Sequence, residues 1–133
     1  MLLHGPLAAH WLRQRYGVED SQVLEAVGWH TTARPGLGPL AKLVFLADKL
    51  DPEKATRYPF LDRVRALAQE DLDPALLEFL TLDLQRLLQA GDLVHPAGVE
   101  ARNELLVRRQ ATPHRKRPYG ETSETSTSVS RPP

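Results

Sequence analysis

Apolar side chains recur at intervals of three and four through segment after segment of this chain, cut at regular points by proline and glycine. No period-two run is long enough to form a strand, so the pattern leaves little room for anything but an all-α fold. Gly5-Pro6 opens the first helical pattern, with Pro6 at a tolerated first-turn position. Its stripe is Leu7, Ala8, Trp11, Leu12 and Tyr16, and Gly17 can end it in the left-handed conformation. Asp20 or Ser21 can cap a second helix whose face is Val23, Leu24, Val27 and His30. That spacing puts His30 on the side of Val23 and Val27, so the imidazole is expected to point inward.

Thr31 to Gly38 reads as a loop, punctuated by Pro35 and two glycines. Pro39 opens a third helix with Leu40, Leu43, Val44 and Ala47 as its expected buried stripe and Asp48 beside it. Asp51-Pro52 breaks it, because a residue before proline is pushed out of the α region. Phe60 to Gln69 carries a fourth pattern. Asp73-Pro74 reads as a cap followed by a first-turn proline, starting a long leucine-rich helix from Leu76 to Leu88 that Gly91 closes. His95-Pro96 opens a last helix, to about Arg109. From Ala111 to Pro133 the chain is rich in Ser, Thr, Pro and charge. It has too little apolar surface to offset its ordering entropy, so residues 111–133 are expected to form a disordered tail behind a domain at 1–110.

The bulk numbers narrow the function classes. A chain of 133 residues makes one domain, and its 41% hydrophobic and 26% charged residues are ordinary for a globular protein. Net charge is zero, so no overall field draws nucleic acid or a membrane. Cysteine is absent, which excludes disulfides and thiolate metal sites and makes a reducing compartment the default. No apolar run approaches the roughly 20 residues of a bilayer span, and Met1-Leu2-Leu3 lacks the form of a signal peptide. The expected location is cytoplasmic.

Chemistry is concentrated in His4, His30 and Asp48. Neutral imidazole nitrogen and carboxylate oxygen suit first-row divalent cations. These three meet only if separate helices converge. A carboxylate just beyond an apolar stripe is costly unless paired or coordinated, which makes Asp48 the stronger of the signals.

The residues around these three resemble a known family. The runs are His4-Gly5-Pro6-Leu7-Ala8-Ala9, then Glu25 to Gly36 with His30-Thr31-Thr32 at its centre, then Leu40 to Ala47-Asp48. In order and spacing they resemble the YqeK-type branch of the HD-domain metal-dependent phosphohydrolases, the symmetrical diadenosine tetraphosphate hydrolases. Val64 to Ala68, Asp71 to Leu76 and Val94-His95-Pro96 also fit, and the likeness covers about residues 2 to 106. It implies an all-helical fold and a divalent metal centre, an iron pair or another ion such as manganese. It also implies cleavage of a dinucleoside tetraphosphate at its middle into two nucleoside diphosphates. By motif, the resemblance makes His4, His30 and Asp48 metal ligands and puts Thr31, Thr32 and Arg34 against phosphate. The family's early His and its adjacent His-Asp pair would precede His4 and are not in this sequence. The expectation is therefore an HD-domain-like helical fold lacking its N-terminal helices, with reduced or absent activity.

Two departures from the family pattern bear on the site. Ala33 stands where the family usually has glycine, which matters if that position needs a positive φ. Lys49 and Asp51-Pro52 follow Asp48 where the family commonly has an aromatic residue and Glu-Pro, leaving Asp51 with a shorter carboxylate for any role behind the ligands. Blander readings apply elsewhere. His10 reads as a surface helix residue, His95 as a cap or packing residue, and Trp11 and Trp29 as core or edge aromatics. The expected partner is a nucleotide substrate, with neither membrane nor nucleic acid. Self-association is an option if the leucine stripe is left uncovered. The rival readings are a catalytically inactive nucleotide-binding or interaction module, and a nucleic-acid contact protein using the basic cluster around Arg108 to Arg117.

Overall fold

The structure, a computed structural model, describes residues 3–112. Six helices follow in order: α1 (His4–Tyr16), α2 (Ser21–Trp29), α3 (Pro39–Lys49), α4 (Leu61–Ala68), α5 (Leu72–Ala90) and α6 (Pro96–Ala111), with one 3-10 turn at Pro52–Lys54. No strand occurs among the described residues. The all-α expectation therefore holds. The tail expected from 111 lies outside the described residues from 113 onward, and Ala111 itself ends α6.

Each helix packs on the next along most of the chain, and α5 is the hub, touching α3, α4 and α6. Its buried face is Ala75, Leu76, Leu77, Phe79 and Leu80. Phe79 is fully enclosed and meets Phe45, Tyr58 and Phe60 with ring centroids 5.2–5.8 Å apart. The contacts with Phe45 and Tyr58 are edge-to-face, the arrangement the ring quadrupole favours. This cluster ties α3, α5 and the segment after the 3-10 turn into one core.

Capping chemistry explains the helix boundaries. Asp20 accepts from the backbone N–H groups of Gln22 and Val23 and starts α2. Gly17 and Gly91 close α1 and α5 at φ 67° and 71°, where glycine avoids a Cβ penalty. The start of α5 differs from expectation. Asp71 is the cap, accepting from Asp73 N–H, so the helix begins at Leu72, one residue before the Asp73-Pro74 pair. An acidic cap fits equally at either aspartate, and Pro74 is tolerated inside the first turn.

The buried faces of α2 and α3 also differ. On α2, Ala26 and Gly28 are buried and Val23 is exposed. On α3 the enclosed stripe is Ala41, Phe45, Leu46 and Lys49, while Leu43 is 52% exposed. The third helix is apolar on more than one side. Periodicity cannot choose between its stripes, and contact with Phe79 on α5 does. On α1 the expected stripe is largely exposed, with Leu7 and Trp11 both above half exposure and only Gly5 buried.

Candidate functional site

The site begins where α1 and α2 cross. Gly5 has no side chain to hold the helices apart. An added Cβ there would lie 2.6 Å from Gly28 O and 3.1 Å from Val27 O. This close approach sets His4, at the start of α1, against His30, which caps the end of α2. Their Nε2 atoms are 3.1 Å apart, and the rings meet edge to face at 5.0 Å. His30 Nδ1 lies 2.7 Å from Val27 O. A carbonyl only accepts, so Nδ1 carries the proton, and the neutral ring presents the Nε2 lone pair. Thr31 Oγ1 is 3.0 Å from His4 Nε2 and completes the cluster.

The spacing of the two imidazole nitrogens is compatible with a shared cation. Two nitrogens at about 2.0–2.1 Å from one ion, subtending roughly 90–110°, lie about 2.9–3.4 Å apart. The carbonyl tether on His30 is the support that fixes the tautomer of a metal-binding histidine.

Asp48 is placed differently. Its Oδ1 accepts from Lys54 Nζ at 2.7 Å and its Oδ2 from Lys49 Nζ at 3.0 Å, and Lys54 Nζ also reaches Asp48 O at 2.7 Å. Two ammonium groups thus neutralise this carboxylate. Among the described residues no group of three or more His, Cys, Asp or Glu side chains is arranged to hold a metal ion. The histidine pair forms; the three-donor cage drawn from the sequence does not. Asp51 accepts from Glu53 N–H and caps the 3-10 turn that carries Lys54 to Asp48. Its carboxylate serves that turn.

The linker from α2 to α3 is pinned from two sides. Glu25 accepts from Arg34 at 2.6 Å and from Gly38 N–H at 3.1 Å, and Glu104 on α6 accepts from Gly36 N–H at 2.6 Å. Arg34 also lies over the Trp29 ring at 5.4 Å. The guanidinium thus helps hold the linker, while its Nε is buried with no hydrogen-bond partner among the described residues. Ala33 does adopt a positive φ, 59°, and is fully buried. The left-handed conformation costs an alanine about 1 kcal/mol or more, and burying its methyl offsets part of that, roughly 0.8 kcal/mol.

Next to these groups is a cavity of about 530 Å³. Thr31 and Thr32 line it, whereas His4, His30, Asp48 and Arg34 do not. Thr31 joins it to the histidine pair, and Lys49 and Lys54 join it to Asp48. Arg57, Tyr58, Asp83, Arg86, Asp92 and His95 supply the rest of its polar wall. Arg86 is paired with Asp83 at 2.8 Å. His95 Nδ1 accepts from Ala97 N–H at 3.2 Å, so it caps α6, and the neutral ring carries its proton on Nε2. Sequence reading did not single out Lys54, Arg57 or Arg86, and took Lys49 only as a departure from the family pattern. The available signals were a lysine ending the apolar stripe of α3 and the Asp83/Arg86 pair interrupting the leucines of α5.

Burial alone would raise the pKa of Asp48. The hydrogen bonds and charges of Lys54 and Lys49 outweigh it and hold the carboxyl below its ordinary 3.8. Burial is also the largest influence on Lys49, pushing its ammonium down against the pull of Asp48. For Asp48 the unfolded chain takes up its proton first on acidification. The clamp's contribution is therefore fully present above the unfolded carboxylate value and is lost as pH falls through the folded one. Asp48→Asn is expected to lose less stability than the parent on acidification below about pH 4, measured by urea denaturation at a series of pH values. Parallel pH profiles would show that the clamp does not couple folding to that proton.

Comparison with known proteins places this geometry in context. No protein-family model matches the chain. A protein from Halalkalibacterium halodurans named symmetrical bis(5'-nucleosyl)-tetraphosphatase is 36% identical over 106 residues, 80% of this chain and 56% of that one. One of the same name from Bacillus subtilis is 35% identical over 95 residues, 71% of this chain and 50% of that one. The chain thus spans about half the length of the curated relatives it matches. A solved structure from Clostridium acetobutylicum, described as a predicted HD superfamily hydrolase involved in NAD metabolism, superposes with a TM-score of 0.73 at 33% identity. The match covers 80% of this chain and 55% of that one. No described helix is long and apolar enough to cross a membrane.

Proposed function

Because this chain is a homologue of the symmetrical bis(5'-nucleosyl)-tetraphosphatases and shares the helical fold of an HD superfamily hydrolase, we propose that it carries one wall of a divalent-metal phosphohydrolase site. Its substrate would be a dinucleoside tetraphosphate, split into two nucleoside diphosphates. The observation that carries this reading is the His4–His30 pair, with Nε2 atoms 3.1 Å apart and His30 oriented by Val27 O. His4 and His30 would hold the cation. A divalent cation such as iron or manganese supplies Lewis-acid stabilisation of phosphate charge and a lower pKa for water.

The chain's own residues do the remaining work. In the neutral rings His30 Nε2 accepts and His4 Nε2 donates, so taking up a cation on both rings would require that proton to move to His4 Nδ1. Thr31 and Thr32 offer hydroxyls on the cavity side of the pair. Two imidazoles leave a first-row cation short of donors. The isolated 133-residue chain is accordingly expected to bind metal weakly and to turn over slowly or not at all. Asp48 could become a third donor only by releasing Lys49 and Lys54.

The test is titration of the chain and of His30→Ala with manganese or ferrous iron, alongside incubation with diadenosine tetraphosphate. Loss of His30 should weaken metal binding at least about tenfold, the lower end of what even an outer support costs. Equal binding by both proteins removes His30 from the metal site. Where turnover is seen, ADP alone is expected, and AMP together with ATP contradicts cleavage at the middle.

A further inference from the structure

The connection from α5 to α6 forms part of the cavity wall, yet little holds it there. Asp92, Leu93, Val94 and His95 all line the cavity. Leu93 is 94% exposed, the barest of the large apolar side chains among the described residues. Neither Leu93 nor Val94 makes a backbone hydrogen bond among the described residues. The segment has a turning point at each end. Gly91 bends the chain at φ 71°, and a Cβ there would meet nothing within 4 Å, so no neighbour is packed against the bend. His95 and Pro96 then start α6. A loose ion pair ties the segment to α5. Arg86 gives its Nε and Nη2 to Asp83 at 2.8 Å, while its Nη1 lies 3.9 Å from Asp92 Oδ2. The second distance is too long for a hydrogen bond. Lys49 and Lys54 are engaged by Asp48, and Arg57 adds positive charge to the same wall.

We propose that residues 91–95 are a strap that folds over the cavity mouth, with Leu93 seated on Leu84 and Leu87 of α5 and Asp92 drawn into a direct hydrogen bond with Arg86. Leu84 and Leu87 are half-buried and line the same cavity. Closure therefore takes apolar surface of three leucines out of water. The two carboxylates have separate tasks. Asp83 fixes the guanidinium from within α5, and Asp92 is the moving half of the latch. Segments of this kind shut a cavity off from water. The strap goes beyond the hydrolase reading, since it requires neither metal nor turnover.

The chain contains no cysteine, so Leu93→Cys in the 133-residue chain offers a single attachment point for bimane. This apolar fluorophore stands in for the leucine and is quenched on contact with tyrosine or tryptophan. Tyr58 lines the cavity and neither tryptophan does, so quenched emission reports the closed strap. In the labelled chain Tyr58→Phe should raise emission, because it removes the quencher and keeps the ring. Asp92→Asn should raise it too, by shifting the closed-to-open ratio about two- to fivefold toward open, the range for a partly exposed ion pair. Emission unchanged by both substitutions overturns the proposal, the strap then standing open. A rise with Tyr58→Phe alone also overturns it, since the segment then reaches the cavity without the latch. A rise with Asp92→Asn alone does the same, since the quencher then lies outside the cavity. No metal or substrate enters the measurement, so its outcome is independent of the metal titration of His30→Ala.

Discussion

Phe79→Ala is expected to destabilise the fold by about 3–5 kcal/mol, the range for truncating an enclosed aromatic. Phe79 has no exposed surface, and its ring touches Phe45 on α3, Tyr58 beyond the 3-10 turn and Phe60 before α4. Removing it leaves a void that the three surrounding rings cannot all fill. Domains of this size have roughly 5–15 kcal/mol in total, so the variant should sit close to unfolding at room temperature. Urea denaturation followed by circular dichroism measures the loss. Phe79→Leu should cost less, because only part of the volume goes. The consequence reaches the cavity, since Tyr58 and Phe45 both line it. A loss below about 1 kcal/mol for the alanine variant would mean that the core closes around the gap, and that Phe79 is not the keystone of this packing.

Gly5→Ala should disturb the site without touching any side chain in it. Helix propensity alone favours alanine over glycine by about 0.8–1.0 kcal/mol. The tertiary contact predicts the opposite sign. The new Cβ would be 2.6 Å from Gly28 O and 3.1 Å from Val27 O, and both are backbone atoms that cannot swing aside. One helix must move, at a cost of roughly 1–3 kcal/mol for overpacking. Val27 O is also the acceptor that orients His30, so the displacement acts on both imidazoles at once. The expected result is lower stability together with weaker divalent-metal binding. Unchanged metal affinity with raised stability would show that propensity wins and that the α1–α2 contact is slack.

Much of the fold was legible because helix signals are local. Gly17, Asp20 and Gly91 act through the conformation of one or two residues, and each does what its chemistry suggests. The pairing of His4 with His30 was foreshadowed by motif order, and Ala33 by its place in a glycine position. The face of α3 was not legible. Leu40, Leu43 and Val44 form as good a stripe as Ala41 and Phe45, and only the partner helix distinguishes them. Arg34 was expected against phosphate because guanidinium suits phosphate. The structure pairs it with Glu25 on α2, a partner that the spacing did not reveal.

The amino-acid sequence by itself determined the helices, most of their ends, the family likeness and the identity of the chemical groups on offer. Those depend on backbone preference and short-range pattern, which neighbouring residues settle among themselves. Which groups meet was decided by tertiary packing alone. Two imidazoles come together because Gly5 lets α1 and α2 touch. Asp48 instead meets Lys49 and Lys54, because a half-buried carboxylate is neutralised by whatever cation the fold delivers to it. Burial and charge pairing are properties of converging chains, and no spacing along one chain encodes them.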